Sequence, residues 1–355
     1  MNKNFNYILA LTLTAALCFP VLHGFAGNKD RSGSAGASEL LINPWARGSG
    51  LGNSNVANVK GLEAGFNNVA GFSFTQQTEL NFSHTDWFHG SGIAVNNFGL
   101  AQRISESSVI GFSIMSMKFG DIQKTTVESP DPSLGSIGTF TPSLLNIALS
   151  YSKAFSNSIY GGITFRVINE AVSDMSAQGV ALDAGIQYVT GETENIHFGI
   201  SLKNVGPTMK FKGDGLSFRG YIPGKSTQFT VEQRSAQYEL PAQLNIGIAY
   251  DIKLAEMHKL TISGAFVSNS FSKDNFDLGA EYSLGNYLML RAAYTYEQGL
   301  WTTEERTTAF TGPSAGCTVQ VPFNKEKGSS FAVDYSYRTT NPFGGNHCIG
   351  IRVNL

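Results

Sequence analysis

From about residue 77 to residue 355 the chain alternates apolar and polar positions with a period of two. Leu145, Ile147, Leu149 and Tyr151 fall on one face, with Asn146, Ala148 and Ser150 on the other. Val180, Leu182, Ala184, Ile186 and Tyr188 oppose Ala181, Asp183, Gly185 and Gln187 in the same way. Ile196, Phe198, Ile200 and Leu202 oppose His197, Gly199, Ser201 and Lys203. Period two is the signature of a strand with two unlike faces. The pattern predicts about fourteen strands, at 77–87, 91–103, 108–118, 143–153, 158–169, 178–190, 196–204, 241–252, 258–268, 274–284, 287–296, 313–323, 330–338 and 345–355. The turns alternate in length: short ones at 105–107, 156–157, 191–195, 253–257, 285–286 and 324–329, with longer ones at 119–142, 205–240 and 298–312. Short periplasmic turns and long outer loops, with an apolar face for lipid and a polar face for a lumen, are the pattern of a transmembrane antiparallel β-barrel.

The stretch before these strands breaks the alternation. Residues 40–76 are apolar, rich in Gly and Asn, and too irregular for one helix or strand. With every later segment committed to the barrel wall, the lumen is the remaining place to bury them. They are therefore expected to form a hatch or plug, with Pro44, Trp45, Arg47, Gly48, Gly50, Gly52 and Asn67 as its candidate residues. A buried arginine needs a carboxylate. Arg47 is expected to meet an inward one: Asp183, Asp251, Glu281 or Asp334. Residues 1–26 read as a secretory signal peptide, with Lys3 before an apolar run and small residues at Gly24 and Ala26. Residues 27–39 read as a mobile leader, and strand parity puts both termini in the periplasm.

Composition narrows the function more than it fixes it. The 355 residues carry a formal net charge of -2, with 15% charged residues, 39 Gly and 25 Phe. Near-neutrality argues against a nucleic-acid partner, and the aromatics suit an interfacial belt facing outer-membrane lipid. Cys317 and Cys348 fall on opposite faces of non-neighbouring strands, so both are expected to be free thiols.

Three patterns carry chemistry on paper. Gly312-Pro313-Ser314-Ala315-Gly316 matches a nucleophile elbow, with Asp334 and His347 following in hydrolase order. An elbow needs a strand before its serine and a helix after it, whereas here a strand follows, so an ordinary turn into a strand is expected. His84, Asp86 and His89 crowd the end of the first strand, but their spacing fixes no metal geometry. Gly48-Ser49-Gly50-Leu51-Gly52 lacks the strand–turn–helix setting of a phosphate loop. No enzyme activity, cofactor or metal site is expected. The longest loop, 205–240, mixes Met209, Phe211, Phe218, Tyr221 and Phe229 with Arg219 and several lysines. That mixture fits a partner-binding surface, and equally a lid folded over the barrel mouth.

Several segments resemble a known family. Leu-Leu-Ile-Asn-Pro-Trp-Ala-Arg-Gly-Ser-Gly-Leu-Gly at 40–52 is similar to the opening motif of the PorV/PorQ family, FadL-like outer-membrane barrels of the type IX secretion system in Bacteroidota. The segments 204–220, 239–247 and the C-terminal runs around Cys317, Asp334 and Cys348 resemble it further. The resemblance implies a fourteen-stranded barrel with its N-terminal segment in the lumen. It also implies binding of secreted-cargo signal domains, translocon components or an attachment complex. FadL relatives imply the alternative, passage of long-chain hydrophobic molecules through a pocket beside the hatch, lined here by Trp45, Leu51, Phe66 and Phe72. The chain departs from the pattern at Asn53, where an acidic residue is frequent, and at 66–70, which lacks the family's Trp and Pro.

Overall fold

The computed structural model describes residues 31–355, apart from 132, 134, 136, 222 and 325–327. The signal peptide expected over 1–26 lies outside the described residues. Fourteen strands close into one barrel. They are β1 (Thr78–Trp87), β2 (Ile93–Arg103), β3 (Ser108–Lys118), β4 (Ser143–Ala154), β5 (Ile159–Val172), β6 (Met175–Thr190) and β7 (Ile196–Val205). Then follow β8 (Gln243–Ala255), β9 (His258–Asn269), β10 (Asn275–Leu284), β11 (Leu288–Glu297), β12 (Phe310–Asn324), β13 (Ser329–Thr340) and β14 (Asn346–Asn354). Each strand pairs antiparallel with its sequence neighbours, and β14 closes on β1 through pairs such as Phe82↔Ile351. The expected strands all exist. The ends differ by at most three residues, as at β5, which runs to Val172 rather than 169.

The two-residue period sorts side chains as expected. Leu182, Ile186, Tyr188, Phe198, Ile200, Leu202, Ile246 and Ile248 point outward and lie exposed. In water a belt of this kind would drive aggregation, whereas in lipid it is matched to its solvent. The inward positions carry Ser83, Ser152, Gln187, Ser201, Asn245 and Ser263, all buried. Both cysteines are free, Cys317 half-buried and Cys348 buried on the inward face.

The lumen is filled by residues 38–74, in two short helices, α1 (Ala46–Gly50) and α2 (Ala64–Asn67), and three 3₁₀ turns (Ser38–Leu41, Ser54–Ala57 and Val69–Phe74). Trp45, Val59, Leu62, Phe66, Val69 and Phe72 pack on one another and on Ala101 and Val109 of the wall. Close approach dictates the small inward residues: a Cβ at Gly199 would stand 2.5 Å from the Val56 carbonyl oxygen. Substitution there pushes hatch backbone, not a movable side chain.

The segment ahead of the wall takes a path that strand parity does not give. The first strand begins and the last strand ends at the short-turn end, but the chain ahead of β1 runs back through the lumen. Arg31 consequently lies at the long-loop end, where its Nη2 meets Glu239 Oε1 at 2.5 Å. From Arg31 onward the leader is not a free tail. Gly36 N–H donates to the Glu239 carbonyl at 3.1 Å, Ala35 bridges Glu239, and Ala37 and Leu40 are buried. Strand parity constrains where the wall starts and is silent about a segment threaded inside it.

Candidate functional site

The hatch is irregular backbone placed where no water-exposed surface can satisfy it, so each carbonyl needs a donor. The wall supplies them from its inward positions. Ser83 Oγ donates to the Pro44 carbonyl at 2.7 Å, Ser201 Oγ to Asn67 at 2.8 Å, Ser152 Oγ to Ala70 at 3.0 Å and Ser314 Oγ to Gly50 at 3.2 Å. Gln187 Nε2 reaches the Val59 carbonyl at 3.1 Å, and Ser54 and Ser263 share a hydroxyl contact of 2.9 Å. The small polar side of the alternation is thus a set of donors aimed at a particular backbone.

Charge fixes the same segment. Arg47, in α1, places Nη2 3.2 Å from Glu281 Oε1, and Glu281 is one of the four carboxylates expected for it. Glu281 also accepts from Arg291 Nε at 3.0 Å, so one carboxylate of β10 ties hatch to wall. Asp334 lies 4.0 Å from Arg291 Nη1 and 3.9 Å from Arg352 Nη2. Glu63 accepts from the Gly48 N–H at 3.2 Å. Burial pushes its carboxyl up to about 7, against the pull of Arg47. Asn43 donates to Asn53 at 2.7 Å, and Asn67 to Asn55 at 2.5 Å. Gly52 turns the chain at φ +57°, a conformation open to glycine without strain.

Two chambers flank this plug. The outer one, about 320 Å³, lies toward the long loops. The inner one, about 100 Å³, is lined by Arg47, Lys60, Glu63, His197, Asp251 and Lys259. The turn at 51–56 is the partition between them. Gly52, Asn53 and Val56 face the outer chamber, while Leu51 and Asn55 face the inner one. The apolar pocket expected from Trp45, Leu51, Phe66 and Phe72 does not form as such. Trp45, Phe66 and Phe72 are consumed in the hatch's own core, and of the four only Phe66 lines the outer chamber. Its wall is instead Lys203, Asn245, Asp277, Glu297 and Arg338, of which sequence reading named only Lys203, as an inward polar position and not as part of a site. Their signal was present: all are inward by parity and lie within three residues of the strand ends at the long-loop mouth.

The long loop divides in two. Met209 is fully buried with Leu40, Ile168, Ala181 and Leu240, and Phe211 packs against the same cluster. Both pack against the leader, Met209 with no exposed surface and Phe211 half-buried. Tyr238 donates to Glu170 beside them, and burial pushes its phenol well above the usual range. The hairpin Ser217–Tyr221 with Gln228–Glu232 stands away from this base. Phe218, Tyr221 and Phe229 are exposed on it, as is Arg219.

The remaining motifs do not assemble. Ser314 and Asp334 point into the lumen, whereas His347 sits outward and meets the Tyr335 hydroxyl at 2.8 Å. The Gly312–Gly316 run lies inside β12, so no elbow exists. His89 Nδ1 meets Asp86 Oδ2 at 2.5 Å, and His84 meets Asn96. Among the described residues no three metal-ligating side chains converge.

No protein-family model and no curated protein matches the chain. Solved structures do. The toluene transporter TbuX of Ralstonia pickettii superposes with a TM-score of 0.52 at 12% identity, covering 88% of this chain and 98% of that one. The toluene transporter TodX of P. putida gives 0.51 at 12% identity, covering 83% and 94%. At that identity the likeness is one of fold alone, that of a closed fourteen-stranded antiparallel β-barrel.

Proposed function

We propose that this chain is a plugged outer-membrane barrel that conducts small organic molecules past its hatch, as FadL-like transporters do. The observation that carries the reading is the pair of chambers meeting across the turn at 51–56. That partition is tied to its surroundings by single hydrogen bonds, Asn43 to Asn53, Asn67 to Asn55 and Ser54 with Ser263, each worth little singly, so a displacement of a few residues would join the chambers. The likeness to two toluene transporters over most of both chains supports the same reading. The test is passage of a panel of small neutral solutes, from toluene to polyhydroxylated benzenes, into vesicles carrying the barrel. Faster passage than into protein-free vesicles is expected for at least one solute. Equal rates throughout would refute the reading.

A second reading rests on a different observation, the projecting hairpin with Phe218, Tyr221 and Phe229 exposed at the long-loop end. Exposed aromatics beside Arg219 suit a protein partner, in line with the resemblance to type IX secretion barrels. Isolation of the native membrane complex tests it: recovery of a cargo signal domain, translocon or attachment component would support it, and recovery of the barrel alone would count against it.

A further inference from the structure

The outer chamber has a chemistry that a hydrocarbon site lacks. Its wall can be followed strand by strand from the register. Lys203 of β7, Gln243 of β8 and Asn269 of β9 stand side by side on one level. Asn245, Val267, Asn275 and Glu297, on β8 to β11, form the next. Asp277 and Thr295 begin a third. Adjacent strands are about 4.8 Å apart, so these groups form a mostly polar wall, interrupted by Val267, facing Asn53, Val56, Phe66 and Asn67 of the hatch.

Several acceptors in that wall are unused. Asn245 is 4% exposed and spends its amide on Ser201 at 3.1 Å, leaving Oδ1 with no partner. Asp277 is 5% exposed, and its Oδ1 has none. Asn275 Oδ1, one level above Asp277 on the same strand, is buried and likewise unpaired. A buried acceptor without a donor is costly, so the chamber favours an occupant that brings donors. The cations cover rings instead: Lys203 Nζ lies 3.6 Å from the Phe66 centroid, and the Arg338 guanidinium 4.2 Å from Phe310. Two cations, Lys203 and Arg338, face two carboxylates, Asp277 and Glu297. The lining is formally neutral and favours no net charge in its ligand.

We infer that the outer chamber binds a neutral small molecule bearing several hydroxyl groups, which donate to Asn245, Asn275 and Asp277. This rests on the conduit reading for its route but not for its chemistry. Toluene, phenol, resorcinol and phloroglucinol keep one ring and add zero to three hydroxyls. Calorimetric titration of the full-length purified barrel in detergent tests the order. Affinity is expected to rise with each hydroxyl, and Asn245→Ala and Asp277→Asn are each expected to weaken phloroglucinol about tenfold or more while leaving toluene unchanged. Heat-dependent gel mobility verifies that each variant still forms the barrel, and Gln320→Ala, away from the chamber, serves as a folded control. Toluene binding as tightly as phloroglucinol, no binding by any of the four, or hydroxyl-dependent binding untouched by both substitutions would each overturn the assignment. Vesicle passage is read separately, so a barrel that conducts toluene yet ignores the hydroxyl series would refute this inference and leave the conduit standing.

Discussion

Replacing Glu281 with Gln isolates the tie between hatch and wall. Glu281 accepts from Arg47 at 3.2 Å and from Arg291 at 3.0 Å, and so joins α1 to the wall at β10 and β11. Arg291 has no exposed side chain, Glu281 has 13% and Arg47 25%. Removing the carboxylate's charge strands two buried guanidiniums beside each other. Breaking a buried pair this way costs about 3–5 kcal/mol, and the partial exposure of Arg47 argues for the lower end. Roughly 3 kcal/mol corresponds to about a hundredfold in an opening equilibrium. The cost falls on hatch docking, because the strand ladder of β10 and β11 is untouched. Hydrogen–deuterium exchange in lipid nanodiscs should therefore show amides of 46–57 exchanging about a hundredfold faster, with the barrel amides unchanged. Combining Glu281→Gln with Arg47→Met should restore most of the protection. Unchanged hatch exchange in the single variant, or equal acceleration of hatch and barrel, would refute the reasoning.

Three further outcomes follow from the same packing. Met209→Ala removes a fully buried side chain from the leader cluster and should cost about 2–5 kcal/mol in leader docking, seen as faster proteolysis near Arg31. Phe218→Ala, on the exposed hairpin, should alter stability by less than about 0.5 kcal/mol, and thermal denaturation compares the two. Burial, reinforced by the neighbouring Glu170, pushes the Glu39 carboxyl up to about 8. A carboxyl raised above its ordinary 4.5 binds a proton on docking, so leader docking is strongest at low pH and weakens as pH rises toward 8. Limited proteolysis across that window should show increasing leader cleavage, and Glu39→Gln should make it independent of pH.

How much of this was legible in the sequence depended on whether a local rule applied. The strands were legible because each position's neighbours two residues away share its solvent, as Ile196, Phe198 and Ile200 do with lipid. The Arg47 partner was legible as a class, since burial demands a carboxylate, and parity offered four. Selecting Glu281 required the distance between α1 and β10, which no local pattern encodes. The leader's path was not legible for the same reason: its contacts, Arg31 to Glu239 and Gly36 to Glu239, span some two hundred residues. Met209 and Phe218 look alike in a loop of mixed composition. One fills the leader cluster and the other stands exposed, a difference set by the fold of the loop. The chamber wall escaped notice because Asn245 and Asp277 read as ordinary lumen polarity until their oxygens are seen to lack partners in the lining of one chamber.

The central claim is that the hatch must move for a solute to pass, and a reversible cross-link addresses it most directly. Ser54 in the partition and Ser263 in β9 bring their hydroxyls within 2.9 Å, so Ser54→Cys with Ser263→Cys should form a disulfide under mild oxidation. Solute passage into vesicles should stop in the oxidised variant and return on reduction, at the rate of the unmodified barrel. Passage that continues undiminished through the fully oxidised barrel would contradict the account.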